Sequence, residues 1–466
     1  MTPATALDLA ARRDLAVRAA VEQRLLTDDE PLLALLDLTA VRDTVRALHA
    51  GFAEVAAPGQ QVLHTFAVKA CSLVPVLRLL HGLGVGCEAA SPGELALARA
   101  AGVPAGRIVL DSPAKTGAEL REALRLGVAV NADNVQELHR LDALVSGASG
   151  TSGMSGVSGV SGVPAPAAGP GSPGTPARPA LGIRVNPQLG AGSIGAMSTA
   201  TVTSKFGIPL ADPGAREWLV RAFLERPWLT RLHCHVGSQG MPTEVMAAGA
   251  RALLELADEI NEAAGEQRVT TLDIGGGLPV NFTSDEAVPT HAEYARQLRA
   301  AAPGLFDGRY GLVTEFGRSL IAKAGLVVAR VEYAKTSGGR RIAVTHAGAQ
   351  IATRTVFAPG AWPLRVAAYD PRGRPKQAQP VRQDVAGPCC FAGDLVARDR
   401  LLPRLDQGDL AVLLDTGAYY ASTPFGYNSL PRPAVYGVTF GADHAPSLSV
   451  IRRPQTLAEL VAESGG

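Results

Sequence analysis

Apolar residues fall into short runs at fairly regular intervals along most of the chain, and the segments between runs repeat apolar positions three and four apart. The runs at residues 62–68, 85–89, 107–111, 128–131, 181–186, 230–236, 270–274 and 311–316 are short and largely continuous, as strands buried on both faces are. The spacing between them predicts helices in most of the gaps. Eight parallel strands with crossover helices predict a (β/α)8 TIM-like barrel over residues 41–320. Ser91-Pro-Gly-Glu94 and Thr116-Gly-Ala-Glu119 each read as a capping box and mark two helix starts, the first with proline at the opening helical position.

Ahead of the barrel, residues 7–26 predict a helix, 31–37 a strand and 40–55 a second helix. Beyond residue 320, strands predicted at 326–333, 341–345, 364–369, 410–415 and 435–440 have no long helices between them. A mostly β C-terminal domain is therefore expected over 321–466, joined by the N-terminal strand of residues 1–40. One stretch breaks the rhythm. Of the 35 residues 146–180, 22 are Gly, Ser or Pro, too few apolar side chains to offset the entropy of ordering, so a flexible insertion is expected after the fourth barrel strand.

Composition narrows the partners. A chain of 466 residues defaults to two domains. A net charge of +1 offers no basic excess to nucleic acid or an anionic membrane. The five cysteines (Cys71, Cys87, Cys234, Cys389, Cys390) form no paired framework, and no apolar leader or membrane-length run is present. The expectation is a cytoplasmic protein acting on small molecules.

The residues ending the barrel strands are Lys69, Glu88, Asp111, Asn131, Arg184, His235, Gly275 and Glu315. They converge on the C-terminal mouth, where such barrels place their chemistry. Lys69 closes an apolar run. Walled by apolar neighbours, its amine would stay partly neutral and attack an aldehyde to form a Schiff base, the plain alternative being a snorkelling lysine at a strand end. Gly275-Gly-Gly277 lets backbone N–H groups approach an anion such as phosphate, although a triple glycine also makes a tight turn. His233-Cys-His235 suggests a metal, but strand alternation turns Cys234 away from the imidazoles and no second ligand cluster accompanies them, so no metal is expected. In Glu315-Phe-Gly-Arg318 the carboxylate could neutralise a ring cation and the arginine a phosphate, unless the two form a surface ion pair.

In order along the chain, Phe66-Ala-Val-Lys69-Ala, His235-Val-Gly-Ser238, Gly275-Gly-Gly277, Glu315-Phe-Gly-Arg318, Gly387-Pro-Cys-Cys390 with Asp394, and Gly417-Ala-Tyr419 resemble the pyridoxal-phosphate decarboxylases with an alanine-racemase-like barrel. Diaminopimelate and ornithine decarboxylases belong to that group. The resemblance implies pyridoxal 5'-phosphate as cofactor, with Lys69 as the Schiff-base lysine, His235 stacked on the ring and Glu315 paired with the ring nitrogen. Ser238, Gly275, Gly276, Gly277, Arg318 and Tyr419 match phosphate-holding positions, and Glu88, Arg184 and Gly317 complete the cofactor set. Cys390 resembles the thiol that reaches into a partner subunit's site and protonates the carbanion left by CO2, which implies a homodimer with shared active sites. Cys389 reads as a buried apolar cysteine.

Arg318, Arg354, Phe391, Asp394 and Tyr419 match substrate positions. Two departures stand out. Phe391 occupies the place of a glutamate that meets a distal ammonium, and Arg354-Thr-Val-Phe-Ala358 keeps the arginine of the distal-end stretch without its tyrosine. Both imply altered specificity. Arg184-Val-Asn-Pro187 and Thr203-Ser-Lys-Phe-Gly207 look like diaminopimelate decarboxylases, which act at a D-configured carbon. The expectation is therefore decarboxylation of D-ornithine or D-lysine to putrescine or cadaverine, a polyamine-forming step. The alternatives are meso-diaminopimelate giving L-lysine and a conjugated amino acid from a siderophore or antibiotic pathway. More distant ones are an amino-acid racemase and a non-catalytic homologue.

Overall fold

The computed structural model describes residues 7–148 and 179–466. Most of the insertion expected at 146–180 lies outside the described residues. The chain opens with α1 (Leu9–Glu22), β1 (Leu32–Asp37) and α2 (Leu38–Ala53). A barrel follows, with strands β2 (Val62–Ala67), β3 (Gly86–Ala89), β4 (Ile108–Leu110), β5 (Ala129–Ala132) and β6 (Leu181–Asn186). A two-residue β7 (Ile208–Pro209) flanks β6, and β8 (Leu229–His233), β9 (Thr271–Asp273) and β10 (Gly311–Phe316) complete the set.

The order around the barrel is β5-β4-β3-β2-β10-β9-β8-β6, and a β5–β6 pairing closes the ring. All eight are parallel. Between them run α3 (Val74–Gly82), α4 (Pro92–Ala100), α5 (Gly117–Leu126), α6 (Val135–Ala148), α7 (Ala215–Glu225), α8 (Thr243–Ala264) and α9 (His291–Ala301). One apolar stripe on each helix packs on the strands. Leu77 and Leu80 of α3 and Leu253 and Ala257 of α8 are fully buried in the core that contains Phe66 and Phe316, each leucine contributing about 1.5–3 kcal/mol relative to exposure.

The caps explain where two of these helices start. Thr116 and Glu119 form a reciprocal capping box at α5. At α4, Ser91 Oγ accepts from the Glu94 N–H at 3.1 Å, but the Glu94 carboxylate accepts from the Ala90 N–H at 2.7 Å rather than from Ser91. Proline at the next position kinks the approach of the chain, and the return bond of the expected box slips back by one residue.

After α10 (Arg318–Ile321) the chain enters a sheet domain of β11 (Gly325–Ser337), β12 (Arg340–Thr345), α11 (Ala349–Phe357), β13 (Val366–Tyr369), β14 (Pro380–Ala386), β15 (Leu395–Pro403), β16 (Leu410–Leu414), β17 (Ala434–Phe440), β18 (Pro446–Arg452) and α12 (Leu457–Glu463). Its strand order is β15-β14-β12-β11-β1-β17-β18, with β16 also on β11 and β13 on β16. The first strand of the chain thus lies inside the last domain, antiparallel to β11 and parallel to β17. Alternation along β1 feeds several cores: Leu33 and Leu35 pack with Val17 and Tyr369, Leu32 with Val327 and Val385, and Leu36 with the barrel.

Strands β14, β15 and β18 and helices α11 and α12 go beyond the elements the pattern predicts. β14 begins with proline and buries only residues 383–385, and β18 has no buried residue, so neither carries a full apolar run. No helix among the described residues is long and apolar enough to cross a membrane.

Candidate active site

The barrel-end residues singled out by the pattern lie in the C-terminal parts of the barrel strands or just after them, at the mouth or directly beneath it. Lys69 occupies a single 3-10 turn, Val68–Ala70, directly after β2. Its Nζ donates to Glu88 Oε2, on the neighbouring strand β3. Partial desolvation at the mouth would lower the amine's pKa, but the Glu88 and Glu315 carboxylates outweigh it and raise the value. This corrects the expectation of a partly neutral amine. The residues beside Lys69 in sequence are apolar, whereas the group it meets in space is a carboxylate.

His235 follows β8. Burial first, then the positive charges of Arg184, Lys69 and His233, push its pKa well below the usual imidazole range, so the ring is neutral. Its Nδ1 accepts from the Gly276 N–H at 3.0 Å, which leaves the proton on Nε2. Gly275 and Gly277 have φ of 66° and 96°, a region that disfavours side chains. A Cβ on Gly276 would strike the carbonyl of Glu315, and one on Gly277 the carbonyl of Gly237. The loop is therefore packed edge-on against both the His235–Ser238 turn and the end of β10, with Ser238 beside it.

Glu315 is buried, and one carboxylate oxygen, Oε1, has no hydrogen-bond partner. Burial chiefly, and the Asp273 charge next, push its pKa up, while His233 opposes them. His233 Nε2 lies 3.5 Å from Glu315 Oε2, and His233 Nδ1 lies 2.9 Å from Asp111 Oδ2. Arg184 lies over the Phe206 ring at 4.3 Å and 3.7 Å from Asp133, and Asn131 is buried with neither side-chain atom hydrogen-bonded.

The sheet domain supplies the far wall. The Tyr419 N–H donates to the Ala70 carbonyl at 2.7 Å and Ser422 Oγ to the Lys69 carbonyl at 2.7 Å. Both bonds tie the loop after β16 to the lysine turn. Tyr419 takes a φ of 73°, a strained value for a tyrosine, and its ring has the Arg318 guanidinium at 4.5 Å and the Arg354 guanidinium at 4.4 Å. Trp362 lies across the same two groups at 4.6 and 5.1 Å. Arg318 Nε and Nη2 and Arg354 Nη1 are buried without partners, and among the described residues neither arginine forms a salt bridge. Burial brings Arg318 down to about 10. Gly317, between Glu315 and Arg318, lets the turn close on Ala67 and Ala70, which a Cβ would meet at 2.9 to 3.1 Å.

Three expected residues lie elsewhere. Cys390 is exposed on the sheet domain, its N–H held by Asn428 Oδ1 at 2.7 Å, and no hydrogen bond links it to the barrel mouth among the described residues. Phe391 stacks on Phe357 at 5.5 Å and meets Tyr427 edge-on at 5.9 Å. Asp394 spends both oxygens on backbone N–H groups, Ala349 at 2.6 Å and Cys389 at 2.7 Å. Within the chain it braces the cysteine loop. Cys389 is buried. Pattern reasoning missed Trp362, a lone tryptophan in an irregular loop, and weighed His233 only as a metal ligand.

The residues present fit pyridoxal phosphate. A primary amine stands at the mouth, a glycine turn with no room for side chains lies beside it, and a buried carboxylate keeps one oxygen free for a ring N–H.

A family model for the pyridoxal-binding domain of pyridoxal-dependent decarboxylases matches residues 42–322. The chain is 32% identical over 422 residues to the diaminopimelate decarboxylase of Pseudomonas aeruginosa, covering 90% of each. It is 33% identical over 424 residues to that of Pseudomonas fluorescens, again covering 90% of each. Among solved structures, the Helicobacter pylori diaminopimelate decarboxylase complexed with L-lysine superposes with a TM-score of 0.75 at 24% identity, covering 96% of this chain and 100% of that one. The lysine/ornithine decarboxylase of Vibrio vulnificus complexed with putrescine gives 0.69 at 23%, covering 94% and 100%. At those identities the structural likeness speaks for the fold.

Proposed function

The chain belongs to the pyridoxal-dependent decarboxylases, and from that premise we propose that it decarboxylates meso-diaminopimelate at its D-configured carbon to give L-lysine. The observation that carries this reading is the pair Arg318 and Arg354, two guanidinium groups between the same two rings with buried N–H groups and no carboxylate partner. Cations in such a place call for anions. The cofactor's phosphate can meet one; the other is left for a carboxylate at the far end of the substrate. Diaminopimelate has that carboxylate, and D-ornithine and D-lysine lack it. The relatives carrying the name diaminopimelate decarboxylase support the same choice over the D-ornithine or D-lysine expectation.

Bound pyridoxal phosphate supplies the electron sink for the pair left on the α-carbon when CO2 departs. The chain does the rest. Glu315 Oε1 would accept a hydrogen bond from a protonated ring nitrogen and so hold the proton there, and neutral His235 would lie against the ring without adding charge. The Gly275–Gly277 turn and Ser238 take up the phosphate with backbone and hydroxyl donors. Lys69 Nζ anchors the cofactor and carries protons to and from the reacting amine, with Glu88 as its counter-ion. Cys390 of a second copy of the chain delivers a proton from Sγ to the α-carbon, which is why its exposure on the sheet domain suits a shared site.

A second reading is a D-configured diamino acid without the distal carboxylate, because Phe391 offers the distal ammonium of either substrate no charge and so does not separate the two. Amine or lysine formation by the pyridoxal-phosphate-loaded protein, assayed separately with meso-diaminopimelate and the D- and L-isomers of ornithine and lysine, decides between them. Lysine from diaminopimelate supports the first reading; putrescine or cadaverine from D-isomers alone would replace it with the second.

A further inference from the structure

Three inward-facing side chains join opposite walls of the barrel beneath the mouth. Asp111 directly follows β4, His233 ends β8 and Glu315 sits in β10, strands that are not neighbours in the ring. Their contacts therefore cross the barrel interior, with the imidazole between the carboxylates at 2.9 and 3.5 Å and all three groups buried. Neither imidazole nitrogen makes a well-aligned hydrogen bond, so charge attraction holds the row together.

We propose that Asp111 is a positioning residue: through a permanently protonated His233 it keeps Glu315 in the anionic form that faces the cofactor's ring nitrogen. Glu315 needs such help. It is buried close to Asp273, whose own charge is taken up by Arg231 at 2.5 Å, and both burial and that neighbour favour its neutral form. A neutral Glu315 would have no charge with which to hold a ring proton. Asp111 is faced in turn by Arg184, Lys115 and Glu88, and His233 by neutral His235. With Lys69 paired to Glu88 and Arg184 to Asp133, the row Asp111, His233, Glu315 alternates negative, positive, negative once Glu315 is ionised. A protonated ring nitrogen is the fourth charge that brings the row to neutrality, so the relay is built for the protonated ring.

The inference rests on the placement of Glu315 at the ring nitrogen and is independent of which amino acid is the substrate. Two measurements test it. In 15N spectra of histidine-labelled, cofactor-free full chain, with His233 assigned by its loss in His233→Asn, both ring nitrogens should stay protonated up to about pH 8, beyond the usual imidazole range. A neutral tautomer there would overturn the proposal without any variant at Asp111. In holoenzyme carrying cofactor labelled with 15N at the ring nitrogen, that resonance should sit at its protonated position, move to the unprotonated one in Asp111→Asn and return in Asp111→Glu. An unmoved resonance in Asp111→Asn would also overturn it. A ring nitrogen still protonated in Glu315→Gln would instead remove the placement on which the relay depends.

Discussion

Replacing Glu88 with glutamine keeps the shape of the side chain that meets Lys69 Nζ and removes its charge. Two unit charges 4 Å apart interact by about 1 kcal/mol in water and about 4 kcal/mol near a protein surface. The Lys69 side chain is 44% exposed, so screening holds the pair to the lower half of that span, about 2 kcal/mol. Losing it raises the fraction of neutral amine about thirtyfold at any pH below the amine's own pKa. Only the neutral amine attacks the cofactor's aldehyde. Capture of pyridoxal phosphate by the apo-protein rises with pH in both proteins, but in Glu88→Gln the rise should begin about 1.5 pH units lower. Stopped-flow absorbance of bound cofactor over a range of pH reads this directly. Coincident profiles would refute the claim that Glu88 sets the protonation of Lys69, and a shift to higher pH would reverse its sign.

Arg354→Met should lower kcat/KM for meso-diaminopimelate by about 2–3 kcal/mol, roughly 30- to 150-fold, the worth of a buried charge-assisted contact. Residual turnover of D-lysine should be unchanged, and equal losses on both substrates would place Arg354 on the cofactor instead. His64 and His291 are buried neutral, with burial as the first cause of pKa values pushed down to about 3 and about 4. Below about pH 6.5 the unfolded chain therefore takes up protons that the folded chain refuses. Stability is intact above that pH and falls by up to about 2.7 kcal/mol per pH unit until each folded value is approached, and urea midpoints at pH 6 and pH 5 check this. His64→Gln should halve the slope. Lys115, fully buried, pairs with Glu137 at 3.0 Å. Lys115→Met should cost about 3–5 kcal/mol by stranding the carboxylate, and the double variant with Glu137→Leu should recover most of it in the same unfolding assay.

The barrel was legible because most residues of its strands are buried on both faces and so write short, largely apolar runs with polar residues towards their C-terminal ends, as β4 does before Asp111 and β10 does with Glu315. Half of the sheet domain was not. Strands such as β14 and β15 bury one face in part and interleave arginine and aspartate, which leaves no clean period to read. At the site, the residue types could be named from strand ends, but their pairings could not. Asp111 and His233 meet across the interior from strands far apart in the ring. The neighbour that governs Lys69 is on the next strand, and the two arginines share an aromatic box only because the sheet domain folds Trp362 and Tyr419 over them. Phe391 was readable as a departure, yet its stacking on Phe357 needed three dimensions.

The placement of β1 has a consequence for how the protein is made. Leu32–Asp37 leaves the ribosome well before its partners, which run from Gly325 and from Ala434. During synthesis the whole barrel is translated while Leu32-Leu-Ala-Leu-Leu36 has neither edge paired. A short apolar strand with two open edges is a template for another chain. It is protected only by α1 and α2 on either side, or by a chaperone, until the far end of the chain arrives. Sheet assembly is thus the last and slowest step, as pairings across such sequence distances are, and the arginine box and the Tyr419 tether over Lys69 come into being with it. A nascent chain arrested before β11 would hold the residues of the barrel but no arginine box and no Tyr419 tether.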